Sequence, residues 1–169
     1  MLPSVLIAQS EYKYQSVFMY NFTKYIQWPE DLRTGDFLIG VYGNSAITNE
    51  LERQVANKIV GSQKIVVKRI KSAIEGEKCH ILFIPSSESG SFEPLQNALK
   101  SKPVLMVTEK EGLCKKGSII NFVHQEGRMR FELNQNAALG AGLKVSSQLS
   151  NMAISNTNMG NAIVRTGNE

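Results

Sequence analysis

CHILFIPSSESGSFEPLQNALKSKPVLMVT, Cys79 to Thr108, decides the fold. It opens on an unbroken apolar run, Ile81, Leu82, Phe83 and Ile84, and closes on another, Val104 to Val107. Between them Leu95, Ala98 and Leu99 recur at helical spacing. A strand that is apolar at every position is buried on both faces, and two such strands joined by a helix form a crossover unit in a parallel sheet. Cys79 to Pro85 and Val104 to Thr108 are therefore read as central strands with helices above and below.

Working upstream, Lys64 to Ile70 reads as another strand and Phe37 to Tyr42 as a continuous apolar one. Gly43, Asn44 and Ser45 supply a turn and a cap for a helix from about Ala46 to Asn57 that buries Ile47, Leu51 and Val55. From Glu11 to Gln27 the positions Tyr14, Val17, Phe18, Phe22, Tyr25 and Ile26 recur at three- and four-residue steps, which predicts an amphipathic helix with an aromatic stripe. Pro29 stops it near Trp28, which reads as a core anchor.

Downstream, Glu109 to Gly117 is polar, Ser118 to Val123 is a strand, and a four-residue turn ending in Gly127 sends the chain back as an antiparallel hairpin. In its second strand Arg128, Arg130, Glu132 and Asn134 alternate with Met129, Phe131 and Leu133, so one face packs and the other stays polar. An ion pair between Arg130 and Glu132 is within reach on that face. Asn134 can cap a helix through Ala137 and Ala138, which Gly140 and Gly142 weaken or end. Ser146 or Ser147 can cap another, holding Leu149 and Met152. From Ser155 onward Asn, Thr and Gly dominate, so residues 155–169 are expected to form a flexible tail. The expected architecture is an α/β three-layer sandwich with a mostly parallel sheet of about six strands and a C-terminal antiparallel hairpin, in one domain over residues 11–154.

At 169 residues and 42% hydrophobic content the chain suits one domain with a real core. Its formal charge is +4, and Arg53, Lys58, Lys64, Lys68, Arg69, Lys71 and Lys78 fall in one stretch. Glu50, Glu52, Glu75 and Glu77 are interleaved with them, so this is a solvated face and no nucleic-acid patch is expected. Residues 1–10 carry no charge and no basic leading region, and read as the remnant of an export signal. No other stretch is long enough to span a bilayer. Cys79 and Cys114 fit neither a zinc pattern nor a Cys-x-x-Cys motif. In an exported protein two cysteines suggest one disulfide, worth about 4 kcal/mol on the chain-entropy model; two buried free thiols are the alternative.

A catalytic set is missing from the pattern. His80 lies inside a buried strand and is read as a packed, hydrogen-bonded residue, and His124 lies in the hairpin turn. Neither has an adjacent serine or cysteine with an orienting acid, and two separated histidines make a poor metal site. The turn Gly43 to Ser45 lacks a dinucleotide fingerprint or a P-loop lysine. A phospho-acceptor receiver is excluded because the third strand ends in Pro85 and Ser86, where that chemistry needs an aspartate. No enzyme activity, cofactor or metal is therefore expected.

Several segments together resemble the YfiR family of exported bacterial regulators: Tyr20 to Pro29 (YNFTKYIQWP), Ile39-Gly40-Val41 running to Gly43, Cys79 to Ile84 (CHILFI), Ile119 to Val123 (IINFV), Gly127 to Asn134 (GRMRFELN) and Ala141 to Leu149 (AGLKVSSQL). They occur in family order and span most of the chain. The resemblance implies a periplasmic α/β domain that restrains a membrane-anchored diguanylate cyclase through its extracytoplasmic sensor domain, and so controls cyclic-di-GMP and biofilm behaviour. It places a regulatory surface on the hairpin, with Phe122 as an apolar anchor and Arg128, Arg130 and Glu132 as polar contacts or an internal clamp. Self-association as a homodimer is expected as well. The alternative function is a periplasmic small-molecule-sensing module that uses the loops Gly43 to Ser45 and Ser86 to Ser91.

Overall fold

Parallel strands buried on both faces build the centre of the molecule, as the apolar runs require. A computed structural model describes residues 4–157. The element order is α1 (Ser4–Phe22), β1 (Ile26–Gln27), β2 (Phe37–Tyr42), α2 (Ile47–Val55), β3 (Ile59–Val60), β4 (Gln63–Ile70), α3 (Ala73–Gly76), β5 (Ile81–Ile84) and α4 (Phe92–Leu99). There follow β6 (Leu105–Thr108), β7 (Ile120–Gln125), β8 (Arg128–Asn134), α5 (Gln135–Gly140), β9 (Lys144–Val145), α6 (Ser147–Met152) and β10 (Ser155–Thr157). Eight strands form one sheet in the order β10-β8-β7-β6-β5-β2-β4-β3. The run from β4 to β7 is parallel, β8 returns antiparallel to β7, and β3 hooks antiparallel onto the start of β4.

Alternation along the strands divides the core in two. Phe37, Ile39, Val41, Ile81, Phe83, Leu105, Val107, Ile120 and Phe131 meet α1, α2, α5 and α6 on one face. Ile70, Leu82, Ile84 and Met106 meet α4 through Phe92, Leu95 and Leu99 on the other. The result is a three-layer sandwich with the hairpin expected, and Ile47, Leu51 and Val55 form the buried stripe of α2. No helix among the described residues is long and apolar enough to cross a membrane.

Four local features differ from the sequence reading. Helix α1 starts at Ser4 and runs through the composition break at Ser10, while Met1 to Pro3 of the expected signal remnant lie outside the described residues. It ends at Phe22 and not near Trp28: three tighter turn bonds close it at Thr23, Lys24 and Tyr25, after which Ile26–Gln27 pair antiparallel with Lys144–Val145. The extended backbone there turns Trp28 into the core, 4% exposed and edge-to-face on Phe37 with ring centroids 5.0 Å apart. The hairpin closes with two residues, Glu126 and Gly127, both at positive φ (53° and 72°), which matches the right-handed twist of the flanking strands. Ser155–Thr157, expected in the flexible tail, form β10 parallel to β8; the rest of that tail lies outside the described residues.

His80 is the polar pin of the larger core. Its ring stacks on Phe37 at 4.4 Å between centroids. Its Nδ1 accepts the Leu38 amide at 3.1 Å, Nε2 faces the Leu32 carbonyl at 2.8 Å, and its own carbonyl accepts the Trp28 indole N–H at 3.1 Å. Both nitrogens are satisfied only by the neutral imidazole protonated at Nε2. Burial pulls its pKa below the ordinary 6.5, outweighing the contact with the Leu32 carbonyl, which raises it. The unfolded chain therefore binds a proton that the native one resists, so this contribution to stability is complete above pH 6.5 and is lost as pH falls below it. Urea unfolding between neutral pH and about pH 5.5 should show stability falling with acidity, and His80→Gln should flatten that slope while lowering stability at neutral pH.

Candidate functional site

The polar row predicted on the second hairpin strand exists, and what lies behind it fixes its direction. On the inner face of the hairpin Phe122 pairs with Phe131 across the strands, and both meet Phe18 and Phe22 of α1 with ring centroids 5.2 to 6.0 Å apart. Phe83 of β5 closes the group at 6.4 Å from Phe122. Phe122 is 2% exposed, so the apolar anchor expected for a partner is a core residue instead. The sequence carried the signal for this: Phe122 sits in register with Phe131, and both belong to the packed alternation.

The opposite face carries Arg128, Arg130 and Glu132. Arg128 and Arg130 are exposed, and neither forms an ion pair among the described residues. Glu132 is half-buried and pairs in register with Asn121, whose Nδ2 donates to its Oε2 at 3.2 Å. The expected Arg130–Glu132 clamp is therefore not made: the cross-strand amide holds the carboxylate. Asn121 belongs to a buried chain, with Thr108 Oγ1 2.7 Å from its Oδ1 and Ser118 Oγ 2.7 Å from Thr108. All three residues are fully buried. Sequence reasoning missed this chain, because Thr108 on β6, Asn121 on β7 and Ser118 just before β7 are brought together by a register that only the fold supplies. Asn134 ends the row: its Oδ1 caps α5 through the Ala137 amide at 2.9 Å, and its Nδ2 donates to the Cys114 carbonyl at 2.9 Å.

At the loops at the carboxyl ends of the parallel strands, where a small-molecule pocket was expected, a cavity of about 570 Å³ lies beside Ser89 and Gly90, and the protein's own groups fill the space around Gly43 and Ser86. Glu109 accepts the Ser86 amide at 2.8 Å and the Gln15 side-chain amide at 2.6 Å, which ties α1 to the loops after β5 and β6. The Glu88 carboxylate lies against Gly43, leaving no room for a Cβ there. His124 pairs with Glu11 at 3.2 Å on the surface. No group of three or more metal-ligating side chains occurs among the described residues.

Cys79 and Cys114, the expected disulfide partners, are both free and buried. Cys79 Sγ packs against Ile70 and the space beside Gly40, and faces the Glu75 carbonyl at 3.8 Å. Cys114 lies by Asn134 at the other side of β5 and β6. Burial pushes the Cys79 thiol up to about 11, and burial with the nearby Glu132 charge pushes Cys114 up to about 12. Both are protonated at neutral pH and poor nucleophiles. Thiol titration of unreduced protein should find two sulfhydryls per chain in denaturant and neither reacting promptly in the native state; a single-bridged chain would show none. Phe122→Ala should cost about 3–5 kcal/mol in urea unfolding, the signature of a large core deletion.

A search among curated proteins finds no match for the chain. The sequence profile described as YfiR/HmsC-like matches residues 12–154, which takes in the strands from β1 to β9, helix α1 from residue 12 onward and all the later helices, the aromatic cluster and the whole polar row. With that span covered, the chain belongs to the YfiR/HmsC-like family.

Proposed function

We propose that this protein is a non-enzymatic periplasmic regulator that holds a membrane-anchored diguanylate cyclase in check by docking on its extracytoplasmic sensor domain. Family membership supports a regulator within cyclic-di-GMP signalling. Residues 1–10, nearly all apolar or small and uncharged, are on this reading a remnant of the export signal.

One observation carries the choice of surface. Arg128 and Arg130 project from a hairpin clamped by five aromatic rings, and neither is neutralised within the described protein. Exposed guanidiniums on a rigid strand have little conformational freedom of backbone to lose on binding, and they match carboxylates bidentately. Glu132, held by Asn121, stands beside them as a half-buried acceptor. With Phe122 committed to the core, the contact is polar and charge-steered, which suits a reversible restraint.

The test is co-expression with a diguanylate cyclase of the same organism that carries an extracytoplasmic sensor domain, with cyclic-di-GMP as the readout. Arg128→Ala with Arg130→Ala should raise cyclic-di-GMP and weaken co-purification, while urea unfolding stays within about 0.5 kcal/mol of the parent, as expected of exposed substitutions. Full restraint by the double variant would overturn the assignment of this surface.

A further inference from the structure

The sheet has two edges, and they are finished differently. At one, β10 lies along β8. At the other, β3 covers only the start of β4: Ile59 faces Lys64 and Val60 faces Gln63, and there the pairing ends. Ile70 turns its carbonyl inward to the Gly43 amide at 2.9 Å, and Gln63 faces outward to Val60. Alternation between these points aims the backbone N–H and C=O groups of Val67 and Arg69 outward, where no strand stands among the described residues.

Two features surround this free edge. Lys64, Lys68 and Arg69 are exposed and form no ion pair among the described residues. Beside them a groove of about 510 Å³ is lined by Glu52, Val55, Ile59, Lys64, Ile65 and Val67, and Ile59 is 60% exposed on its rim. An edge strand with open backbone groups, an apolar slot and cations has what strand addition uses: main-chain hydrogen bonds for affinity and alternate side-chain sites for specificity.

We propose that the free edge of β4 receives an extended, acidic segment of a protein partner as an added strand. Charge selects the occupant. A second copy of this chain laid along the same edge would bring three more cations against Lys64, Lys68 and Arg69, whereas carboxylates at alternate positions of a partner strand would lie on the face of Lys64 and Lys68 with opposite sign, leaving its apolar positions on the face of Ile65 and Val67. The same lysines that discourage edge-to-edge association select an acidic guest. This edge lies across the sheet from Arg128 and Arg130, so it is a second contact surface and does not depend on the hairpin surface.

The test uses an acetylated, amidated peptide of alternating Val and Glu as the probe, with the alternating Val and Lys peptide as its control, followed by amide NMR and hydrogen exchange at low ionic strength. The acidic peptide should bind saturably, shift the β4 amides and slow exchange at Val67 and Arg69, while the basic peptide leaves them unchanged. Lys68→Glu with Arg69→Glu, both exposed, should weaken binding about tenfold or more with an unchanged thermal melt. Shifts confined to other elements, equal binding of the basic peptide, or undiminished binding by the charge-reversed variant would each overturn the proposal. So would concentration-dependent self-association abolished by Val67→Pro, because the occupant would then be a second copy.

Discussion

The aromatic cluster of Phe18, Phe22, Phe83, Phe122 and Phe131 is the contact on which the rest of this molecule leans. Two of the rings come from α1, one from the central parallel sheet and two from the hairpin, so three parts of the chain remote in sequence meet in one place. Large aromatic side chains bury more area than any others, and the pairs here include the edge-to-face contacts of Phe131 with Phe18 and Phe22 that such rings favour. Because side chains alternate along a strand, fixing Phe131 inward fixes Arg130 and Glu132 outward, and a one-residue slip would reverse every assignment on β8. The polar surface of the hairpin is thus a consequence of core packing.

That dependence explains what was legible in the sequence and what was not. The central strands announce themselves, since Ile81 to Ile84 and Val104 to Val107 admit no polar face. The alternation in β8, the buried stripe of α2 and the caps at Asn134 and Ser146 are local patterns, and each forms as read. Features decided by distant partners were hidden. Helix α1 ends early because β9, more than a hundred residues downstream, claims Ile26 and Gln27 as a strand. Ser155–Thr157 look like a loose tail until β8 offers an edge to pair with. Glu132 has Arg130 close by in sequence, yet register places the Asn121 amide directly across from it, and the nearer donor takes the carboxylate.

Buried polar groups show the same rule from the energetic side. Thr108, Ser118 and Asn121 are fully buried where neighbouring positions are apolar, and they are tolerated because they satisfy one another and hand the last bond to Glu132. His80 is tolerated because two backbone groups from separate loops meet its two ring nitrogens. Leaving any one of these partners unmade would cost about 1–3 kcal/mol, comparable with a sizeable part of a typical folding free energy. His80, one of the two histidines weighed for chemistry in the sequence, is thus consumed in holding loops and strands together. The two thiols follow the same pattern, each packed on a different side of the central strands and each disfavoured as a thiolate by burial.

A sheet built this way still has to end somewhere, and the ends differ in kind. Strand β8 is covered by the chain's own β10 from Glu132 to Asn134, and the stretch from Arg128 to Arg130 that carries the arginines lies beyond that cover. Among the described residues strand β4 is left open beyond Lys64, and its backbone groups are on offer together with its cations. An open edge in a native protein is guarded by lysine, proline, a bulge or a cover, because an unguarded one pairs with any extended chain. Here the guard is charge alone, which repels a copy of the same strand and leaves carboxylate-bearing chains unopposed. The two surfaces proposed for contact, the arginines of β8 and the open stretch of β4, share one electrostatic preference, for acidic partners, and lie at separate places on the sheet.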